Sequence, residues 1–269
     1  MDQTPFAEKY GPWALITGGA SGIGAEFGRQ LAARGLNLLI VDIQAVMMRE
    51  HARSLEKDFG VAVRTTVADL SKPDFMKKIR PALRGIPVGL LVNNAAWGSA
   101  GEFMKTDPAE MLRAIEVNCR APLVLTRELG PAMIGRGRGG IVFLASSSAL
   151  QGTPIVANYA ATKAYNLMLA EALWDELRPR GVDVLALCPG ATNTPAFAKS
   201  GARIDNVPGM PFMEPADVVA AALKALGKKP GVVPGRVNGI SSFIMTRFLS
   251  RRRAVALTGK NTRLLYPGR

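Results

Sequence analysis

The sequence predicts an α/β fold in which one doubly wound parallel sheet carries helices on both faces. Short runs of Val, Ile and Leu alternate along the chain with longer segments in which apolar residues recur at helical spacing. The runs are continuously apolar and do not alternate with polar residues, which indicates strands that are buried on both faces. Repeated βα units with right-handed crossovers then give a single-domain, open sheet of the Rossmann type.

The apolar runs locate the strands and the periodic segments locate the helices. Strands are predicted at residues 13–17, 36–42, within 61–70, and at 88–95, 139–146, 182–190 and 231–235. Helices are predicted at 23–35, 44–60, near 72–84, along 107–135, from Tyr159 onward and at 214–227. Gly35 and Gly60 lie where a glycine commonly ends a helix. Because no linker precedes about residue 235, we expect one domain over residues 1–235 and a basic helical extension over 236–269.

The composition is that of an ordinary globular protein. Hydrophobic residues make up 48% and charged residues 20% of the 269 residues, which excludes a disordered chain. His51 is the only His, so we expect neither a His-centred triad nor a metal site. Cys119 and Cys188 lie far apart and the N-terminus lacks a signal-peptide pattern, so a reducing cytoplasm is expected. No stretch reaches the roughly 18 apolar residues of a transmembrane helix.

The positive charge is concentrated near the C-terminus. The net charge is +13. Eleven of the 34 Lys and Arg residues follow Asp217 and no acidic residue does, so the rest of the chain holds 23 basic residues against 21 acidic ones. The body is therefore nearly neutral and the tail is basic.

A glycine-rich turn separates the first predicted strand from the first helix. Gly18, Gly22 and Gly24 lie in the segment TGGASGIG, with Ser21 and Ile23 between them. Glycines let the backbone approach a pyrophosphate, and the helix N-terminus supplies N–H donors. Glycines also serve ordinary turns, but the position between a strand and a helix is the context that a dinucleotide site requires.

Asp42, at the end of the second strand, predicts NAD in preference to NADP. Its carboxylate can accept hydrogen bonds from the ribose hydroxyls and would repel a 2′-phosphate. Ile43 follows it, and the glycine turn contains no Lys or Arg. The alternative is that Asp42 caps the following helix, and the two roles are compatible.

Further candidate positions follow the third and fourth strands. Asp69 and Leu70 end the third strand region, where a side chain could meet the adenine. Asn94, Ala95 and Ala96 follow the fourth strand, at the edge where open α/β sheets bind ligands. The asparagine could instead only close a turn.

Tyr159 and Lys163 form a candidate proton-transfer pair. Residues four apart share one face of a helix, and a nearby ammonium favours a phenolate. A general acid or base works best when its pKa is close to the operating pH. Taken alone, the pair is more often a surface Tyr that precedes a solvated Lys, so the rest of the chain must decide.

The motifs together resemble the short-chain dehydrogenase/reductase family over about residues 10–235. In one order come TGGASGIG at 17–24, Asp42, Asp69, NNAA at 93–96, Asn118, Ser146, Tyr159-x-x-x-Lys163 and Cys188-Pro189-Gly190 with Thr194. The surroundings of the glycine turn and the C-terminal segment IMTRFLSRRRAVALTGK resemble bacterial hydroxysteroid and ketoacyl dehydrogenase-like members, many of which have a basic residue after the second strand. This chain has Asp42-Ile43, so their cofactor preference is not carried over. Ala96 replaces the more common glycine, a small change where φ is negative.

The resemblance implies a role for each matching residue. Tyr159 would give or take the proton at the substrate oxygen, and Lys163 would lower the pKa of Tyr159 and hold the nicotinamide ribose. Ser146 would orient the substrate oxygen, and Asn118 would bind a water that links Lys163 to solvent. Asn94 and Ala95 would line the adenosine path, and Pro189, Gly190, Thr192 and Thr194 would contact the nicotinamide end.

The implied activity is NAD-dependent interconversion of a secondary alcohol and a ketone. The segment 195–215 should close over the substrate. Its Phe197 and Phe212, opposite Trp97, Leu150 and Ile155, favour a hydrophobic alcohol or ketone of steroid, fatty-acyl or aromatic type. A lid that packs only on its own core is the alternative. Two other functions stay open: an NADPH-dependent 3-ketoacyl or carbonyl reductase, and a non-catalytic cofactor-binding regulator.

The basic tail has several interpretations. Ile240, Ile244, Phe248 and Val255 follow helical spacing beside arginines, which fits peripheral contact with an anionic membrane, a subunit contact or a solvated basic face. Nucleic-acid binding is not expected, because few aromatic residues lie among the basic ones. The helix at 107–135 and the Tyr159 helix resemble the family's subunit-contact helices, so a homo-oligomer, dimer or tetramer, is expected.

Overall fold

Seven parallel strands form one sheet at the centre of the molecule. The computed structural model describes residues 6–269, so the first five residues of the predicted 1–235 domain lie outside the described part. The strands are β1 (Trp13–Thr17), β2 (Asn37–Asp42), β3 (Val63–Val67), β4 (Val88–Asn93), β5 (Gly139–Leu144), β6 (Val182–Leu187) and β7 (Gly231–Val232). Their order across the sheet is β3-β2-β1-β4-β5-β6-β7. The predicted doubly wound α/β fold is confirmed.

Helices cover both faces of this sheet. Those in the described residues are α1 (Phe6–Tyr10), α2 (Gly22–Ala32), α3 (Ala45–Phe59), α4 (Met76–Leu83), α5 (Pro108–Ile115), α6 (Ala121–Gly135), α7 (Ala157–Leu177), α8 (Pro195–Lys199), α9 (Pro215–Ala225), α10 (Arg236–Arg247) and α11 (Arg251–Leu265). One hydrophobic core lies between the sheet and α4, α6 and α7, and the other lies between the sheet and α2, α3 and α9. Neighbouring residues such as Leu15 and Ile16 enter opposite cores, which explains the continuously apolar strands.

The direction of winding reverses between β1 and β4. β1 pairs with β2 on one side and with β4 on the other. In open α/β sheets, a crevice that binds ligands opens beyond the carboxyl ends of the strands at this point. The candidate site residues all lie at a strand end or shortly after it on this edge. They are the glycine turn, Asp42, Asp69, Asn94, Ser146 and Pro189.

The long helical pattern over 107–135 is interrupted in the structure. A π-helical turn, Glu116–Arg120, separates α5 from α6, and it contains Asn118. Such turns are typical of functional sites. Asp107 caps α5 by accepting a hydrogen bond from the Ala109 N–H at 2.9 Å, as expected for Pro108 in the first turn.

The tail also differs from the predicted single helical row. Phe248 ends α10, and Ser250 starts α11 by accepting from the Arg253 N–H at 3.4 Å. Phe248, whose N–H donates to the Ile244 carbonyl oxygen, therefore stays in one row with Ile240 and Ile244 on α10, whereas Val255 lies on α11 and does not continue that row. No helix within residues 6–269 combines the length and apolar character needed to cross a bilayer.

Candidate active site

The glycine turn forms a compact cradle at the start of α2. Gly18 and Gly22 have φ values of 66° and 57°, which glycine adopts most readily. A Cβ on Gly24 would collide with the Gly18 carbonyl oxygen, so only glycine lets α2 approach this closely. Ser21, the N-cap residue, makes no side-chain cap, and Ile23 follows it. The N–H groups of the first turn can therefore bind an anion, and the cradle fits a dinucleotide pyrophosphate.

Asn94 and Thr17 fasten the glycine turn to the end of β4. The Asn94 amide donates to the carbonyl oxygens of Thr17 (2.9 Å) and Gly18 (3.0 Å). The Thr17 hydroxyl oxygen accepts from the N–H groups of Asn94 and Ala95, each at 3.1 Å. Ala96 is exposed and lacks a positive φ, so alanine in place of glycine introduces no backbone strain.

Asp42 holds the glycine turn and the start of α3 together. Its side chain is 7% exposed, and its carboxylate oxygens accept from the N–H groups of Ala20 and Gln44, each at 2.9 Å. The N-cap residue of α3 is Gln44, so the alternative that Asp42 itself caps this helix is wrong. Each carboxylate oxygen has two acceptor sites, which leaves capacity for ribose hydroxyls.

Asp69 follows β3 beside a cavity. The cavity has a volume of about 330 Å³ and is lined by Asp69, Ser71, Lys72, Leu112, Arg113 and Glu116. Burial raises the pKa of Asp69, but hydrogen bonds from Ser71 and the charges of Arg113 and Lys72 outweigh it, so the pKa is lowered. The buried Leu70 packs in the core beneath. A carboxylate therefore borders space where the adenine is predicted.

Tyr159 and Ser146 meet at the end of β5. Tyr159 is half-buried in the first turn of α7, and Ser146 lies close enough to its phenol to act on the pKa of Tyr159. The Ser146 oxygen accepts from the N–H (3.2 Å) and the hydroxyl (3.0 Å) of Ser148. The Tyr159 ring also packs against Gly98, where a Cβ would collide with it. Of the three adjacent serines, Ser146 is thus the one that contacts the phenol.

The pKa of Tyr159 is raised to about 12. Burial is the main cause and the nearby Tyr266 adds to it, whereas the hydrogen bond from Ser146 acts in the opposite direction. This direction is opposite to the expected lowering by Lys163. The reason is geometric: the Lys163 Nζ donates to the Leu144 carbonyl oxygen at 2.6 Å and lies 5.6 Å from the centroid of the Tyr159 ring.

Lys163 is a buried amine at the end of β5. It is 1% exposed, and burial lowers its pKa to about 8 against the opposite influence of Cys119 and Cys188. A group with this pKa changes its charge readily near neutral pH. Lys163 can therefore take part in proton transfer as well as supply charge.

Asn118 connects three parts of the site through its side chain. Its Oδ1 accepts from the Trp97 N–H, and its Nδ2 donates to the Trp97 carbonyl oxygen, each at 2.7 Å. Nδ2 also donates to the Thr162 hydroxyl at 2.9 Å, and that hydroxyl donates to the Tyr159 carbonyl oxygen at 2.7 Å. Both amide hydrogens are thus used, and the predicted water-binding role stays a prediction.

The segment after β6 reaches both the serines and the glycine turn. The Pro189 carbonyl oxygen accepts from the Ser147 N–H at 2.9 Å, and the Thr192 hydroxyl donates to the Gly190 carbonyl oxygen at 3.0 Å. Thr194 caps α8 and contacts the glycine turn, where a Cβ on Gly22 would lie 3.1 Å from its methyl carbon. The predicted nicotinamide contacts therefore bridge the two halves of the crevice.

The predicted hydrophobic wall is assembled only in part. Phe197 and Phe212 pack together with ring centroids 5.2 Å apart. Trp97 is instead held by α5: its indole N–H donates to Glu110 at 2.7 Å, and the Arg113 guanidinium lies 3.8 Å from its ring centroid. Leu150 packs on the hydrophobic core. Ile155 has a φ of 69°, a strained backbone conformation for a β-branched residue.

Several supporting residues were not identified from the sequence. Thr17 and Thr162 bond to named site residues, and Ser148 orients Ser146. Their position next to motif residues was the only available signal, because a hydroxyl's partner depends on contacts between distant segments. Within residues 6–269, no group of three or more His, Cys, Asp or Glu side chains could hold a metal.

Comparison with known proteins identifies the family. The model of the short chain dehydrogenase family matches residues 12–205. A very-long-chain 3-oxoacyl-CoA reductase of Phaeosphaeria nodorum is 32% identical over 260 residues, covering 92% of this chain and 74% of that protein. A 7beta-hydroxysteroid dehydrogenase of Clostridium sardiniense is 30% identical over 238 residues, covering 87% and 89%.

Solved structures share the fold along nearly the whole chain. A 7beta-hydroxysteroid dehydrogenase structure superposes with a TM-score of 0.86 at 26% identity, covering 95% of this chain and 99% of that one. A short-chain dehydrogenase from Sphingobium yanoikuyae in complex with NADPH has a TM-score of 0.76 at 30% identity, covering 96% of both chains.

Proposed function

The chain belongs to the short-chain dehydrogenase family and is an oxidoreductase that acts on an alcohol or ketone group with NAD(P). On that premise, we propose that it uses NAD to interconvert a hydrophobic secondary alcohol and its ketone. The observation that carries the proposal is that Ser146 and the buried Lys163 both lie close to the phenol of Tyr159 at the end of β5. The alternative of a non-catalytic regulator would require a broken catalytic set, and Asn118, Ser146, Tyr159 and Lys163 are all present.

The chemistry assigns one task to each side chain. When bound, the nicotinamide supplies the hydride for reduction and accepts it in oxidation. In reduction, Tyr159 gives its phenolic proton to the substrate oxygen, and Ser146 donates a hydrogen bond to the same oxygen. Lys163 supplies a positive charge 5.6 Å from the centroid of the Tyr159 ring, a distance that limits how far it stabilises the phenolate that remains. Oxidation runs these proton steps in reverse.

The preference for NAD rests on the charge near Asp42. The carboxylate is buried and close to where the second ribose hydroxyl of an adenosine would lie. Ile43 beside it is 54% exposed, and neither the glycine turn nor residues 43–48 supply a Lys or Arg for a 2′-phosphate. The Sphingobium relative's NADPH complex supports the alternative, an NADPH-dependent ketoacyl or carbonyl reductase.

A nucleotide titration tests this preference. NADH and NADPH are added to the wild-type protein and to Asp42→Ala, and binding is followed by nucleotide fluorescence. We expect wild-type protein to bind NADH at least about tenfold more tightly, because a phosphate near a buried carboxylate is repelled. The difference should shrink in Asp42→Ala. Tighter binding of NADPH to the wild-type protein would favour the reductase alternative.

A hydrophobic substrate is supported by the cleft and by the relatives. Phe197 and Phe212 place aromatic surface on the segment after β6, and Phe212 remains 44% exposed. The relatives act on hydroxysteroids and on very-long-chain 3-oxoacyl-CoA. A turnover screen should therefore begin with steroid alcohols and medium- to long-chain 3-hydroxyacyl thioesters plus NAD, with short hydrophilic alcohols as controls.

A homo-oligomer is supported by exposed apolar residues on α5, α6 and α7. They are Leu112 (62% exposed), Ile115 (42%), Leu123 (46%), Tyr165 (38%) and Met168 (57%). Apolar surface on adjacent helices is typical of subunit contacts. Sedimentation velocity should give a dimer or tetramer, and Met168→Glu should shift the distribution toward the monomer. A wild-type monomer at micromolar concentration would contradict the proposal.

Peripheral contact with an anionic membrane on its cytoplasmic side is supported by α10. Val237, Ile240, Phe243, Ile244 and Phe248 are 47–74% exposed, and arginines flank them at 236, 247 and 251–253. An apolar row with basic neighbours suits anionic lipid. Co-sedimentation with phosphatidylserine vesicles at low salt tests this, with phosphatidylcholine vesicles as control. Equal pelleting, or none, would contradict the proposal.

A further inference from the structure

The end of the chain is fastened to loops that follow three neighbouring strands. The Arg269 side chain donates to the Ala100 carbonyl oxygen after β4 (3.1 Å), and the Arg251 side chain donates to the Leu150 carbonyl oxygen after β5 (3.2 Å). Two contacts reach the segment after β6: the Arg203 N–H donates to the Leu265 carbonyl oxygen (2.7 Å), and the Asn206 amide donates to the Leu264 carbonyl oxygen (3.1 Å). These loops surround the catalytic crevice, because they extend from the same edge of the sheet. The tail therefore spans the crevice.

α11 also packs closely on the loop that joins Ser146 to Tyr159. Gly259 lies against Pro154, where a Cβ would be 3.1 Å from the proline ring, and Val255 lies 3.4 Å from the Cβ position of Gly152. Ala254 and Leu265 on the same helix are 3% and 8% exposed. Small residues at these contacts allow the close approach, so α11 has a fixed position over the loop.

Tyr266 follows this anchored helix directly and lies near the catalytic phenol. Its N–H donates to the Thr262 carbonyl oxygen at 2.9 Å, and its side chain is half-buried. Tyr266 lies between two anchors of the tail, the Leu265 carbonyl oxygen on Arg203 and the Arg269 side chain on Ala100. Ala100 is two residues from Gly98, which packs against the Tyr159 ring, so the tail places Tyr266 beside this ring, in agreement with its effect on the pKa of Tyr159. The substrate oxygen must lie within hydrogen-bond reach of the Tyr159 oxygen, so Tyr266 borders the same space.

We propose that the C-terminal extension closes the catalytic cleft and that the ring of Tyr266 limits the size of substrate that reaches Tyr159. The inference rests on the proposed alcohol–ketone chemistry and adds a specificity-determining residue to it. Tyr266 contributes volume to the pocket wall, and the tethers at Arg203 and Ala100 keep that wall in place.

A selectivity measurement tests this role. The probes are cyclohexanone and a tetracyclic steroid ketone, reduced by wild-type protein, Tyr266→Ala, Tyr266→Phe and the control Lys260→Ala, an exposed residue of α11. The readout is the ratio of kcat/KM for the steroid to kcat/KM for cyclohexanone. Removing the ring should raise this ratio about tenfold or more, since one pocket group can change discrimination on that scale. Tyr266→Phe and Lys260→Ala should keep the wild-type ratio.

An unchanged ratio in Tyr266→Ala would overturn the proposal. If kcat/KM falls in parallel for both ketones, the ratio is unchanged and the role of Tyr266 is purely structural. The ratio is measured with whichever nicotinamide nucleotide the wild-type protein accepts. A preference for NADPH would therefore refute the proposed cofactor and leave this test intact.

A second readout does not depend on turnover. The Arg203 amide donates to Leu265, so it should be protected from hydrogen exchange in the wild-type protein. Exchange at the rate of an unstructured peptide would mean that the tail is not docked, and would overturn the proposed closure.

Discussion

Ser146 accepts two hydrogen bonds from Ser148, so its own hydroxyl proton is available to an oxygen beside Tyr159. The Ser148 N–H and hydroxyl lie 3.2 and 3.0 Å from the Ser146 oxygen, and the nearby Ser146 acts to lower the pKa of Tyr159 against the effect of burial. Ser146 is thus prepared to donate to whichever oxygen lies beside Tyr159, including that of a substrate.

The three adjacent serines should differ in their effect on activity. Ser146→Ala should lower kcat/KM about 100-fold or more, because it removes a donor to the reacting oxygen. Ser148→Ala should lower it about three- to tenfold, because the Ser148 N–H still orients Ser146. Ser147→Ala is the control and should stay within about twofold. Steady-state kinetics of the three variants measure this order, and an equal loss in Ser146→Ala and Ser147→Ala would contradict it.

Two glycines should respond to alanine with opposite signs. Gly24→Ala should weaken nucleotide binding and lower the midpoint of thermal unfolding, because its Cβ would collide with the Gly18 carbonyl oxygen. Gly130→Ala, inside α6 with no atom within 4 Å of the added Cβ, should stabilise the protein by about 0.5–1 kcal/mol. Thermal unfolding with and without NADH tests both, and a destabilised Gly130→Ala would show that the space around α6 is tighter than described.

Burial of Lys163 should make stability depend on pH. Its pKa is lowered to about 8 from the ordinary lysine value of 10.5, so between these values the unfolded chain binds a proton that the folded chain does not. Stability from this group therefore rises with pH through the window from about 8 to 10.5, by at most about 1.4 kcal/mol per pH unit. Urea unfolding of wild-type protein and Lys163→Met at pH 7.5, 8.5 and 9.5 measures this contribution.

The contribution of Lys163 is obtained by subtracting the unfolding free energy of Lys163→Met from that of the wild-type protein, because other buried groups also titrate in this pH range. Burial raises the pKa of Cys119 to about 11 and of Cys188 to about 12. A buried thiol with a raised pKa stabilises the folded protein less as pH rises above about 9, an effect opposite in sign to that of Lys163. Wild-type stability minus that of Lys163→Met should increase with pH. A stability difference that does not change with pH would mean that Lys163 is not desolvated in the folded protein.

Asn118 should contribute to stability as well as to activity. Asn118→Ala leaves the N–H and carbonyl of Trp97 without their partners, which should cost about 3 kcal/mol. Thr162→Ala keeps both of those hydrogen bonds and should cost about 1 kcal/mol. Urea denaturation measures both free energies of unfolding. Equal costs would assign the stabilisation to the Thr162 hydroxyl and not to the Trp97 bridge.

Most of the sheet could be predicted because each buried strand is a continuous apolar run between helical segments. The π-helical turn at Glu116–Arg120 could not, because it depends on Asn118 reaching Trp97 and Thr162 across the fold. The break at Ser250 was hidden for a related reason: the apolar spacing continues across it while the chain changes direction.

The site was predictable where a motif combines residue type with position on a strand end, as for the glycine turn and Asp42. It was not predictable where long-range packing decides the outcome. The direction of the Tyr159 pKa follows from burial and from Lys163 bonding to Leu144. Tyr266, more than 100 residues from Tyr159 in the sequence, is brought near it only by the fold of the tail.

The most direct test of the central claim is nucleotide-linked turnover by Tyr159→Phe compared with wild-type protein. Substrates come from the hydrophobic alcohol screen with NAD, and NADH binding is measured in parallel. The account predicts that turnover falls about 1,000-fold, because the proton donor is lost, while NADH binding stays within about threefold. Turnover within tenfold of the wild-type rate would contradict the role of Tyr159 and with it the proposed mechanism.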